Sequence, residues 1–166
     1  MEHHETAYLG TFDSLISDSY SELDTSPTAL DECRTATLLT NPDQLPELVV
    51  QSTSAHSSFV SASSLSNQCG QHSVCVVPPN VTVLMDGNIN VAAMIVRGKL
   101  LWTSRTQQTS EQHLCAGYVA VEENGNFTLR LNDQDGANKR AWVYIKDNGA
   151  SHRFMKTRSF GAVGLG

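Results

Sequence analysis

The chain has 166 residues, of which 40% are apolar, 7% aromatic and 17% charged, with a formal net charge of −6. A domain of this length buries about 70% of its unfolded surface, enough for a real core. The low charge content argues against a coiled coil, and the acidic balance against a nucleic-acid module, whose footprint is a basic patch. The charge is unevenly divided. Residues 1–75 hold ten acids and a single base, Arg34, whereas residues 76–166 hold ten bases and seven acids. Two differently built parts are expected: an acidic, Ser/Thr-rich segment over 1–68 and an all-β domain over 69–166.

In chain order, residues 1–25 are acidic with only a weak apolar trace. Ser26-Pro27 then opens a short helix near 27–39, with Ser26 as N-cap, Pro27 at the first helical position and Asp31 and Glu32 near the positive end of the dipole. Residues 52–66 contain eight serines and read as a flexible linker, or as a polar strand where Phe59 and Val60 interrupt the run. From Cys75 onward the texture changes to short β-branched and apolar runs: Val81–Met85, Val91–Arg97, Lys99–Thr103, Gly117–Val121, Phe127–Leu131 and Trp142–Lys146. Asp86-Gly87, Gly98, Asn124-Gly125, Asp135-Gly136 and Asn148-Gly149 separate them as turn steps, where positive φ comes at little steric cost.

This pattern predicts a mainly β fold of short strands with Gly/Asn/Asp turns, arranged as a parallel β-helix, a β-roll, a barrel or a sandwich. Alternation is clear in Trp142–Lys146 and blurred in Ala92–Val96, and blurred alternation suits strands covered on both faces.

No apolar run approaches the ~20 residues that span a bilayer. The N-terminus has neither a basic n-region nor an apolar h-region, so it does not read as a signal peptide. The apolar, Gly-rich end SFGAVGLG reads as a chain that continues, with neighbouring domains of a larger protein as partners.

Cys33, Cys69, Cys75 and Cys115 allow three disulfide pairings, and the sequence does not choose among them. Two sequons, at Asn80 and Asn126, together with the even cysteine count point to an extracellular or cell-surface setting. Cys69-x2-His72-x2-Cys75 with Cys115 supplies a zinc-type donor set. Structural zinc sites pair two such knuckles, however, and only one is present, so disulfides are the better reading.

The run Val76–Gly87, followed by Met94-Ile95-Val96-Arg97-Gly98-Lys99-Leu100-Leu101-Trp102, resembles the opening strands of the eight-glycine domain family. Leu114–Val121 and Asn124–Leu129 resemble its next strand and its Gly-led strand, so the likeness covers about residues 75–130. That family occurs in fibrocystin and in the cell-surface and cell-migration-inducing hyaluronidases. The resemblance implies an extracellular all-β unit associated with β-helical repeats, and a polysaccharide or glycan surface as partner. It implies a glycan-contacting or scaffold domain, or a fragment of a hyaluronidase-like polysaccharide-degrading enzyme. A protein-interaction module contacting through its acidic half is the third reading.

For the enzyme reading, usual glycosidases need two carboxyl groups about 5–9.5 Å apart. Asp86, Asp133 and Asp135 are the acids that could pair, with Arg97 and His113 as partners for an anionic sugar. An Asp before Gly is also a common turn former. Trp142 and Tyr144 lie two apart, hence on one sheet face, and with Lys139, Arg140 and Lys146 form the candidate sugar-stacking surface, unless the two rings point inward as core. The basic run from His152-Arg153 to Lys156 and Arg158 either extends that surface or solvates a loop. No cofactor is expected beyond calcium at Asp133 and Asp135, and there the flanking loop positions lack oxygen ligands.

Overall fold

A computed structural model describes residues 33, 38–52, 58–122, 124–131 and 139–164. The described chain is mainly β. Its strands are β1 (Glu47–Val49), β2 (Phe59–Ser61), β3 (Val74–Val77), β4 (Thr82–Leu84), β5 (Ile89–Asn90), β6 (Ala93–Val96) and β7 (Lys99–Thr103). They continue with β8 (Glu111–Ala116), β9 (Tyr118–Glu122), β10 (Asn126–Arg130), β11 (Arg140–Ile145), β12 (Ser151–His152), β13 (Lys156–Thr157) and β14 (Ser159–Val163). The helix α1 (Ala62–Gln68) follows β2, and a 3-10 turn covers Pro42–Gln44.

Three parallel sheets share these strands. The first runs β1-β3-β6-β9-β14, the second β10-β7-β4-β2 and the third β11-β8-β5. From β3 to β11 the chain visits the first, second and third sheet in rotation, so each strand pairs with one a full circuit away. The register is in step: Val74 pairs with Ala93, Met94 with Val119 and Tyr118 with Ser159. Among the described strands only the β12–β13 pair is antiparallel.

Strand period 2 explains the two cores. Val77, Met94, Val96 and Val119 of the first sheet face inward onto Val83, Leu100 and Trp102 of the second and Ile89, Leu114 and Ala116 of the third. The alternate residues of the first sheet, Val74, Val76, Ala93, Ile95, Tyr118 and Ala120, face outward. They are covered by Leu39, Leu45, Ala150 and Met155. Burial on both faces accounts for the blurred alternation of Ala93–Val96.

Strand pairing also crosses the expected boundary at 68–69, since β1 adds to β3 and β2 adds to β4. The Ser-rich stretch is not a linker over its described part. Phe59–Ser61 is a strand, and α1 follows at once because Ser61 caps it, accepting a hydrogen bond from Ser64 N at 3.1 Å. Of the helix expected near 27–39, only Cys33, Leu38 and Leu39 lie among the described residues.

Two of the glycine steps, Gly98 and Gly125, do a different job from the one expected. Among the described glycines only Gly149 has positive φ. At Gly98 a Cβ would collide with the carbonyl oxygens of Pro78 and Val81, and at Gly125 with that of Val96. Glycine is required there because adjacent circuits of backbone approach closely, with Asn126 N donating to Gly98 O at 2.8 Å.

Candidate functional site

A cavity of about 210 Å³ lies on the outer face of the first sheet. Val74, Ile95 and Tyr118 supply its apolar lining from β3, β6 and β9, while Asp43 brings an acid from the covering segment and Glu47 another from β1. Arg97, Glu122, His152 and Arg153 complete it. Arg97 follows β6 and Glu122 ends β9, so the register that pairs Val96 with Val121 sets them side by side.

Glu122 is the hub. Its Oε2 accepts from Arg97 Nε at 3.1 Å and Nη2 at 3.0 Å, and its Oε1 accepts from His152 Nε2 at 2.9 Å. His152 Nδ1 accepts from Met155 N at 3.2 Å, so the hydrogen-bond network assigns the ring proton to Nε2. Burial works to raise the Glu122 carboxyl, but the His152 and Arg97 hydrogen bonds and the Arg97 charge outweigh it and hold the group below its ordinary value. Burial, helped by the charges of Glu47 and Glu122, pushes the Tyr118 phenol up to about 12. Near neutral pH the site therefore holds a fixed carboxylate and a neutral phenol. Neither of these two groups is poised to exchange protons with a substrate.

At the rim, the Arg153 guanidinium sits 4.6 Å from the centroid of the Phe154 ring, and both side chains are more than half exposed. Such a pair offers an apolar ring face beside a five-donor cation.

Neither a family model, nor a curated protein, nor a solved structure matches this chain.

The residues singled out from sequence are dispersed. Asp86 accepts a hydrogen bond from Ala62 N at 2.8 Å, which ties the start of α1 to the turn after β4. Arg97 is joined to Glu122 rather than to Asp86. His113 is buried on the outer face of the third sheet, away from the Arg97 cavity, and its backbone N donates to Asn88 Oδ1. Asp133 and Asp135, with the calcium site expected there, lie outside the described residues. Replacing Asp86 with alanine should cost about 1 kcal/mol, the usual worth of a helix N-terminal cap, and lower the urea midpoint of unfolding. An unchanged midpoint would show that this contact carries no weight.

Trp142 and Tyr144 do share a face, half-buried, while Ala141, Val143 and Ile145 pack against the core. The bases around them are engaged in the fold. Lys139 Nζ donates to Ser104 O and Gln107 O, Arg140 pairs with Glu111 at 3.7 Å, and Lys146 is buried. Lys139 and Lys146 are thus held within the fold, while the Arg140 side chain stays more than half exposed.

Cys33 pairs with Cys115 and Cys69 with Cys75. That removes the thiolates on which a zinc knuckle at Cys69, His72 and Cys75 would depend. Both sequon asparagines, Asn80 and Asn126, are exposed, and the Thr128 hydroxyl donates to Asn126 Oδ1. No helix among the described residues is long and apolar enough to cross a membrane.

Proposed function

We propose that this chain is an extracellular glycan-contacting domain built as a parallel β-helix, with an anionic glycan seated in the cavity between Glu122 and the Arg153–Phe154 rim. The observation that carries the reading is the composition of that cavity. Guanidinium groups, carboxylates and a neutral phenol around an apolar floor can meet sugar hydroxyls and a sugar carboxylate while the ring face of Phe154 stacks on the pyranose.

Three parallel sheets visited in rotation support the β-helical description. Glycines at Gly98 and Gly125, where circuits touch, fall in the segments that resemble the eight-glycine family. Two cystine pairs suit an oxidising compartment. The polysaccharide-cleaving alternative has less behind it, because Glu122, the buried carboxylate of the cavity, is already committed to Arg97 and His152.

An array of carboxylated and sulfated oligosaccharides tests the proposal. Binding should appear above background and weaken about tenfold in Arg153→Ala, the worth of one hydrogen bond to a charged group. An array on which nothing binds would sink it.

A further inference from the structure

Lys146 follows β11, is only 3% exposed and donates from Nζ to Asn90 Oδ1 at 2.8 Å. Asn90 closes β5. The two residues therefore flank β8, the middle strand of the third sheet, at a sequence separation of 56. The Asn90 Nδ2 atom is buried and has no hydrogen-bond partner. A lysine and a carboxamide are thus held in contact out of water, with the amide nitrogen gaining nothing from its surroundings. Leaving such a donor unpaired costs free energy, which its departure would end.

We propose that Lys146 Nζ and Asn90 Cγ condense into an intramolecular isopeptide bond. The neutral amine attacks Cγ, and the carbonyl electron pair moves onto Oδ1. A proton passes from Nζ to Nδ2, the Cγ–Nδ2 bond breaks, the carbonyl re-forms and ammonia leaves. One amide replaces another, so neither oxidant nor reductant nor co-reactant is needed.

The geometry supplies what the reaction requires. Two groups fixed in contact react with a large effective concentration, and burial keeps out the water that would compete as nucleophile. Burial also pushes the Lys146 ammonium down to about 8, so a useful share of the amine is unprotonated in mildly alkaline buffer. Among the described residues no carboxyl group is hydrogen-bonded to the pair, so the bond accumulates slowly after folding. Once formed, it ties β5 to the end of β11 across β8 and restricts the unfolded chain as a disulfide does.

Intact-mass measurement on the full chain, aged at pH 8 and then reduced and alkylated, decides the matter. The expected product is lighter than the mass of the fully alkylated chain by one ammonia, and proteolysis releases a branched peptide joining Asn90 to Lys146. Asn90→Asp should lose one water instead, and Lys146→Arg should lose nothing. Aged wild-type protein at the full mass of the alkylated chain overturns the proposal. So does an ammonia loss that persists in Lys146→Arg, or a digest in which residues 90 and 146 appear only on separate linear peptides. The wild-type digest is decisive even if a variant fails to fold.

Discussion

Glu122→Ala should destabilise the fold by about 3 kcal/mol, because it leaves the Arg97 guanidinium and the His152 ring without the carboxylate that satisfies them both. Glu122 is 4% exposed and joins β9 to the chain after β6 and to β12, so the loss should spread beyond one strand. Hydrogen exchange should report it first in residues 151–157, where the β12–β13 pair is held to the sheet by His152. The pH dependence follows from the depressed carboxyl. A group whose folded pKa lies below its unfolded value contributes stability above the unfolded pKa and loses it as pH falls through the folded one. Wild-type stability attributable to Glu122 should therefore begin to decline below about pH 4.5 and continue to fall with further acidification. In Glu122→Gln that component of the acid transition should be missing. Denaturation midpoints measured from pH 7 to pH 3 check both points, and parallel curves for wild type and Glu122→Gln would refute the assignment.

Gly98→Ala and Gly125→Ala form the second test, each expected to cost about 3 kcal/mol or more. Overpacking in a well-packed interior usually costs somewhat less, but here the added methyl meets backbone carbonyls rather than side chains that can rotate away. At Gly98 the obstacles are Pro78 O and Val81 O, and the same turn carries hydrogen bonds from Gly98 N to Val77 O and from Lys99 N to Val81 O. Relief by moving the backbone would break those bonds. Gly70→Ala is the control, since nothing lies within 4 Å of the added carbon. Thermal unfolding of the three variants should separate 98 and 125 from 70. Equal melting temperatures for all three would mean that the circuits can part without loss.

The candidate site shows where sequence reading stops. Arg97 was legible as a basic residue at a strand end, but its partner was not. Glu122 stands in Val121-Glu122-Glu123, which reads as a solvated turn, and His152 stands in a basic run that reads as a surface loop. No local pattern marks either as buried. The hydrogen bond between them forms across 30 residues, and only the fold-back of β12 onto β9 creates it. Trp142 and Tyr144 share one face because a strand fixes that by its period. The role of Lys146 was not readable, since a lysine after a strand has no sequence mark that distinguishes burial from exposure.

The sequence by itself determined the β class, six of the strand segments between residues 81 and 146 though not β5 or β8, and the division of charge. These are local properties: side-chain period, β-branching and turn residues act over a few positions. The pairing of cysteines, the rotation of strands through three sheets and the burial of Glu122, His152 and Lys146 were decided by tertiary structure. Each depends on contacts a full circuit or more apart, which alternation along one strand cannot encode. The charge division that looked like a boundary between two parts is bridged in the fold. Glu47 and Asp43 from the acidic half line the same cavity as Arg97 and Arg153 from the basic half. Parallel pairing of β1 on β3 brings them there, by backbone hydrogen bonding that is blind to the charge of the side chains.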